Sequence, residues 1–471
     1  MECLPNRIFD DIRVGDIAST VRTLSERDLE LFVILAAGDT AFGRSGELYA
    51  TTEMLQQVAA SSLWSSALIS WVVGTQLPGP GGLCLEYHLH FHKAMQPGDT
   101  IKLTLTVTGK NRADHSITLD CTCVDQQGGR VFSGTLRVQA PTVRICSPPA
   151  ELPAFHLDER GARHKKLVEM TSQLEPIATV VVHPADAVSL EGAVRAAQAN
   201  LIQPILVGPP ARIQAAAQTA GVDIAAYELI AVSHSHAAAA KAVELVRAGH
   251  GQILMKGSLH TDELMSEVVR TDGGLRTERR ISHAYIMDVP TYPKPLIITD
   301  AAINIVPDLL DKRDIVQNAI ELAQVMGIEQ PKVALLSAVE TVTPKLQATM
   351  DAAALCKMAE RGQITGGILD GPLAFDNAIS KQAAETKQIR SAVAGEADIL
   401  VVPDLEAGNM LAKQLAYLAG AAAAGIVLGA RVPIVLTSRS DDTLARLASC
   451  AVAVLLACRK RDLLKSAALE S

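Results

Sequence analysis

The chain has 471 residues, enough for about three domains at roughly 150 residues each. Its 43 basic against 51 acidic residues give a net charge of −8, and aromatic residues are only 3%, which excludes a basic nucleic-acid surface and a base-stacking platform. With 48% apolar and 20% charged residues it is globular and needs no disulfide staples to hold a core.

The opening MECLPNRIFDDIRVGD is polar and acidic, without an apolar signal core. Eight cysteines (Cys3, Cys84, Cys121, Cys123, Cys146, Cys356, Cys450 and Cys458) include no C-x-x-C pair, so a zinc ribbon is excluded. Free thiols and no export signal predict a cytoplasmic protein. An apolar-rich helix is predicted over residues 48–73, ending at Gly74. From Leu83 the pattern turns to period two in LEYHLHFHKAM, TIKLTLTVTGKN, SITLDCTCVDQQGG and RVFSGTLRVQAP. One helix against a run of antiparallel strands is an α+β layout for residues 1–145. Cys121 and Cys123 share one strand face. His88, His90 and His92 also share a face, which reads as polar outer surface rather than a metal site.

The three prolines of CSPPAELP mark a linker, taken as residues 146–160. Beyond it, short Val/Ile/Leu runs alternate with helical segments: TVVVHP, PILVGP, QILMKG, KPLIITD, KVALLS, GGILDGP, DILVVPD and PIVLTS. This predicts a parallel sheet with helices on both faces over residues 161–471. The strand-end polar clusters would then lie along one edge, where ligands bind in open α/β sheets. The most apolar stretch, residues 415–436, is rich in alanine, contains Arg431 and Pro433, and reads as a buried helix followed by a strand rather than a membrane span.

The sharpest local signal is the last strand and its loop, PIVLTSRSDD. A hydroxyl (Ser438), a guanidinium (Arg439) and two carboxylates (Asp441, Asp442) leave a buried strand together. A carboxylate can deprotonate a nucleophile, and a guanidinium can stabilise an oxyanion or hold phosphate. A solvated loop with a helix cap accounts for the same residues. MKGSLHTDELM brings Lys256, Ser258, His260 and Thr261 into a helix start, which suits an anion. PDLEAGNMLAKQL carries Asn409 and Lys413, and ILDGPLAFDN carries Asp370 and Asp376. No G-x-x-x-x-G-K-[ST] and no G-x-G-x-x-G after a strand occur, which disfavours a nucleotide P-loop and a dinucleotide dehydrogenase.

Taken in order, AAQANLIQPILVG, ILMKGSLHTDELM, GGLRTERRISHAYI, LIITDAAINIVPDL, PKVALLSAVETV, ILDGPLAFDNAIS, AGEADILVVPDLEAGNMLAKQL and GARVPIVLTSRSDD resemble the phosphate acetyl/butyryltransferase family over about 300 residues. LMKG, GLR…SH and DGPLA…D lean toward its butyryl branch. The resemblance implies exchange of an acyl group between coenzyme A and inorganic phosphate, both as substrates, with no bound cofactor and no metal. It also implies a two-lobed α/β phosphotransacylase fold like isocitrate/isopropylmalate dehydrogenase (lobes at roughly 161–295 plus 441–471, and 296–440) and a homodimer or higher homo-oligomer. Ser438 would orient the thiol, Arg439 would stabilise the tetrahedral oxyanion, and Asp441 or Asp442, with Asp441 preferred, would take the thiol proton. Lys256, Thr261 and Arg276 would contact phosphate, with Asn409 and Lys413 at the same cleft. No nucleic acid and no membrane partner is expected.

Residues 7–143, through RIFDDIRVGD, AAGDTAFGRSGELYA, SLWSSALIS and GTQLPGPGGLCLEYHLHFHKAMQPGDTIKLTLTV, resemble the MaoC-like hotdog domain of R-specific enoyl-CoA hydratases. That family uses an Asp/His pair to activate water. Asp39 matches the aspartate, but Arg44 stands at the histidine position and cannot act as a general base. The resemblance therefore implies a degenerate hydratase site that binds acyl-CoA or oligomerises. The alternatives are a bifunctional hydratase and phosphate acetyltransferase, and a non-catalytic acyl-CoA-binding scaffold.

Overall fold

The computed structural model describes residues 4–25, 28–29, 31–32, 63–147, 161–437 and 442–470. The chain divides into two compact units, Met1–Ala154 and Phe155–Ser471.

In the first unit β1 (Leu4–Pro5) pairs with β7 (Cys146–Ser147), and the remaining strands are β2 (Ile17–Thr23), β3 (Leu83–Phe91), β4 (Thr100–Asn111), β5 (Ser116–Asp125) and β6 (Arg130–Gln139). They form one antiparallel sheet in the order β2-β4-β5-β6-β3. Period-two patterning decides which face is buried. Ile101, Leu103, Leu105 and Val107 of β4 and Ile117, Leu119, Cys121 and Cys123 of β5 all point inward. Against them packs the Leu63–Thr75 helix through Trp64, Leu68, Val72 and Val73. Burying each large aliphatic side chain here contributes about 1.5–3 kcal/mol. The predicted helix end at Gly74 is passed by one residue, and residues 48–62 of that prediction lie outside the described residues. Cys84, Cys121, Cys123, Cys356, Cys450 and Cys458 are free thiols, but Cys146 is disulfide-bonded, against the expectation of free thiols throughout. His88 Nε2 lies 2.8 Å from Glu86 Oε1 and His92 Nε2 2.9 Å from Ser133 Oγ, so two of the three aligned histidines have polar partners on the sheet surface.

The second unit is built on one eleven-stranded sheet. Its strands are β8 (Ile177–Val182), β9 (Ile202–Gly208), β10 (Glu228–Ala231), β11 (Ile253–Lys256), β12 (Ser282–Asp288), β13 (Leu296–Thr299), β14 (Lys332–Leu336), β15 (Ile368–Leu373), β16 (Ile399–Val401), β17 (Ala422–Leu428) and β18 (Ile434–Val435). The order is β10-β9-β8-β11-β18-β17-β12-β13-β16-β14-β15.

The sheet is mixed, which corrects the expectation of a purely parallel one. β18 to β17, β17 to β12 and β12 to β13 are antiparallel, and every other pairing is parallel. Two strands caused the difference. Residues 422–428, AAAGIVL, read as helix because alanine is the best helix former. The Leu405–Leu418 helix instead stops before Gly420, at φ +65°, and the alanines become central strand β17. Small residues suit this strand: a Cβ on Gly425 would stand 2.7 Å from the Leu436 carbonyl oxygen. SHAYIMD was not read as a strand, yet it is β12.

The Thr443–Glu470 helix closes the unit, packing against the Ala162–Glu169 and Ala187–Gln198 helices and β17. Ala448, Ala451, Val452 and Val454 sit in the same core as Val181, Met255 and Ile426. No helix among the described residues is long and apolar enough to cross a membrane.

Candidate active site

Strand direction sorts the predicted site residues. β8 to β12 and β18 run one way, and β13 to β17 run the other. Lys256 and Thr437 therefore leave one edge of the sheet. Arg276, which precedes β12, and Asn409, which follows β16, lie at the opposite edge. The single edge expected from the sequence is thus two edges, separated by about 13 Å along a four-residue strand such as β11. The antiparallel β17 and β12, unread in the sequence, are the cause.

At the first edge, β11 and β18 pair in parallel, Met255 opposite Val435. Lys256 ends β11 and is only 8% exposed, with its ammonium 3.4 Å from the Gly257 carbonyl oxygen. Glycine is required next to it. A Cβ on Gly257 would lie 2.4 Å from the Val182 oxygen and 2.7 Å from the His183 oxygen. The Gly257 amide donates to Val182 and that of Ser258 to His183. Thr261 opens the Thr261–Val268 helix after His260 and is half-buried.

β18 leads through Thr437 to residues 438–441. Ser438, Arg439 and Asp441 lie outside the described residues, as do Asp39 and Arg44. Asp442 is described, and its role is legible. Its carboxylate accepts from the Ala445 amide at 2.8 Å, which caps the Thr443–Glu470 helix. One turn on, Arg446 is 4% exposed, and its Nη1 donates to Thr437 Oγ1 at 3.3 Å. Gly192 leaves room for it, since a Cβ there would stand 3.0 Å from Arg446 Cδ. Arg446 therefore ties the strand entering the loop to the helix leaving it. The sequence reading missed it. Its spacing from Asp442, one helical turn, was the available signal.

At the opposite edge Asp300 follows β13 as a buried carboxylate. It accepts from the amides of Ala302 (3.0 Å), Ile303 (3.1 Å) and Asn304 (3.1 Å) and from Asn304 Nδ2. Burial raises its pKa against the pull of those donors. Asn304 Oδ1 in turn accepts from Arg280 Nε at 2.6 Å. Asn409 Nδ2 donates to the Ala301 carbonyl at 3.2 Å, so its amide holds the Asp300 loop. Arg276 is exposed and bridges Ala430. Lys413 is exposed; it sits three residues from Met410 and four from Tyr417, on the helix face that also exposes those two side chains. A cavity of about 720 Å³, lined by Arg279, Leu428, Pro433 and Lys460 among others, lies where β17 ends and β18 begins. That is the far end of β18 from Thr437.

Buried histidines went unread in the sequence. His283 is wholly buried, and burial pushes its pKa down to about 3. His164 Nε2 lies 3.1 Å from the Ile286 oxygen, and burial lowers its pKa. His183 follows β8 and is 5% exposed. Its position at a strand end was the clue.

Lys256 ends β11 next to β18, and the chain runs on from β18 through Thr437 into the sequence Ser438-Arg439-Ser440-Asp441. Residues 232–454 match the Phosphate acetyl/butaryl transferase family. A phosphate acetyltransferase of Rhizobium meliloti is 62% identical over 300 residues, covering 64% of this chain and 95% of that protein. A phosphate butyryltransferase of Clostridium beijerinckii is 39% identical over 63% of this chain and 99% of its own length. The crystal structure of a branched-chain phosphotransacylase from Enterococcus faecalis V583 superposes with a TM-score of 0.52 at 30% identity, over 60% of this chain and 99% of that one. The chain belongs to the phosphate acetyl/butyryl transferase family.

Proposed function

We propose that this phosphate acyltransferase exchanges an acetyl group between coenzyme A and inorganic phosphate, with the chemistry in residues 438–441. The 62% identity to a phosphate acetyltransferase, against 39% to a phosphate butyryltransferase, carries the reading and turns it from the butyryl lean of the sequence blocks. Ser438 orients the thiol and Arg439 stabilises the oxyanion of the tetrahedral intermediate. A thiol near pKa 8.5 is mostly protonated at neutral pH, so a carboxylate base speeds its attack on the acyl carbonyl. Capping occupies the Asp442 carboxylate, which favours Asp441 as that base. Lys256 and Thr261 face the phosphate. Arg276 and Asn409 reach only a substrate as extended as coenzyme A, whose length spans both edges.

In this reading residues 1–145 form the hotdog domain, 146–160 the linker and 161–471 the transferase. The transferase has one lobe at 161–295 plus 441–471 and the other at 296–440, in the manner of isocitrate dehydrogenase. The sheet order fits that division only in part: β8 to β11 fall in the first lobe and β13 to β16 in the second, but β18 (Ile434–Val435), which pairs with β11, falls outside the bounds of the first. The hotdog domain, with one helix against an antiparallel sheet, binds acyl-CoA without hydrating it. The protein acts in the cytoplasm as a homo-oligomer. Ile305, Val306, Met410, Tyr417 and Leu418 are 58–85% exposed, an apolar face that a second copy would cover, with Lys413 at its rim.

The test is turnover by the purified chain of acetyl-CoA with phosphate, and of acetyl, propionyl and butyryl phosphates with coenzyme A. Acetyl is expected to give the highest kcat/KM. Hydrolysis without acyl phosphate formation would reject the reading.

A further inference from the structure

The cavity of about 720 Å³ beside the β17–β18 turn has no part in the proposed exchange. None of Lys256, Thr261, Arg276 and Asn409 lines it. Pro433 on its wall and Thr437 at the entry to the transferase loop are about 13 Å of extended chain apart. Its volume falls in the range of sites that hold small molecules.

The walls come from the β17–β18 turn, the Leu309–Val325 helix and the Thr443–Glu470 helix. Val325, Leu428, Val432, Pro433 and Leu456 make an apolar lining. The amide side chains around it are already committed. Gln317 Nε2 donates to the Thr365 carbonyl at 3.1 Å, and Gln317 Oε1 accepts from the Thr365 amide at 2.9 Å. Gln324 Nε2 donates to the Gly366 carbonyl at 3.1 Å. Asn318 Nδ2 donates to the Arg280 carbonyl and to Ser282 Oγ, each at 2.9 Å. Walls tied in this way keep their shape without a ligand, and they have little hydrogen-bonding capacity left to read the edge of a nucleobase.

Charge is what remains. Arg279, Arg459 and Lys460 line the cavity together with Glu278 and Glu321, a net positive charge in a chain whose total is −8. Arg279 pairs with Glu321 at 2.7 Å. Arg459 Nη2 instead donates to Gln324 Oε1 at 3.0 Å, and Lys460 Nζ to the Arg431 carbonyl, both neutral acceptors. Among the described residues neither cation has a carboxylate partner. A single acid group would meet both, since charged donors make their strongest hydrogen bonds to an anion. A polyphosphate would bring its further charges against Glu278.

We propose that this cavity binds a small organic monoanion with an apolar body, its acid group on Arg459 and Lys460 and its body on Leu428, Val432 and Pro433. The site is separate from the acyl transfer, so its ligand and coenzyme A bind at the same time.

The test titrates the full chain, with coenzyme A at saturation, against anilinonaphthalene sulfonate, an apolar monoanion whose fluorescence rises in a dry site. The unsubstituted chain should bind it, and octanoate, an apolar monocarboxylate, should displace it. The R459Q/K460Q variant should bind the probe about tenfold more weakly, the scale of one lost hydrogen bond between charged groups. Its melting temperature and acetyl-CoA turnover should hold. V432D, which sets a carboxylate on the apolar wall, should lose the probe altogether. Equal probe binding in both variants would overturn the proposal, as would no binding by the unsubstituted chain or a probe that octanoate leaves in place. Release of the probe as coenzyme A is added would overturn it as well, by making the cavity part of the substrate site.

Discussion

The two units treat buried polarity differently. Among the described residues of the first, the buried polar side chains are Asn6, Ser116 and Asp125, and each is fully engaged. Asn6 bonds Val143 and Ile145, and Ser116 bonds Asp114. Lys93 and the Gly129 and Gln127 amides hold Asp125 below the usual carboxylate range. The second unit buries His164, His183, His283, Asn377 and part of Glu263 with at least one side-chain atom unpartnered. It also buries Lys256, Asp300 and Arg446 at its strand ends and loop flanks. Unsatisfied buried groups are costly, and folds keep them where ligands or catalysis make use of them. The contrast agrees with the proposed placement of the acyl transfer in the second unit.

The sharpest way to break that assignment is at Arg439. Arg439→Ala should lower kcat by about 10²–10³-fold, the loss that follows removal of an oxyanion donor, with melting unchanged. A loss below tenfold would move the catalytic centre elsewhere. Next in size is Gly257→Ala, where a methyl group would collide with the Val182 and His183 carbonyls. A destabilisation of about 1–3 kcal/mol in urea is expected, in the transition of the second unit.

Acid should separate the units as well. His283 titrates near 6.5 when unfolded and about 3 when folded. Its stabilising contribution is therefore complete above pH 6.5 and is lost as pH falls from 6.5 toward 3, at up to about 1.4 kcal/mol per pH unit. H283Q should flatten unfolding free energy against pH in that window. An identical slope in the variant would show that the imidazole is solvated.

At Asp442 the effect is smaller and separates structure from chemistry. Asp442→Ala should cost about 1 kcal/mol of stability through the lost helix cap. Asp441→Asn should instead slow turnover, with partial recovery at high pH where the thiol ionises unaided. The reverse pattern would exchange the two assignments. Smallest of all is the effect expected for the first unit. The full chain should hydrate crotonyl-CoA at no useful rate, followed by absorbance, because Arg44 stays protonated and cannot take a proton from water. Hydration abolished by Asp39→Asn would make the first unit an enzyme.

Much of this was legible in the residues. Period-two runs placed β3 to β6, since alternation reports directly which side chains meet a core. The order of the motif blocks named the family, and PIVLTSRSDD marked the strand that leads into Ser438. β17 was not legible, because alanine's local preference for helix opposes the strand that its neighbours β18 and β12 impose. With β17 and β12 missing, strand direction was lost, and with it the separation of Lys256 from Arg276 and Asn409. The Asp442 cap and Arg446 against Thr437 are local contacts that the spacing could have revealed; the unpartnered His183 Nε2 was hidden, since it depends on packing between segments far apart in the chain. Local pattern marked the candidate residues. Which of them share an edge was decided by strand pairing, a long-range choice made by burial and hydrogen bonding together.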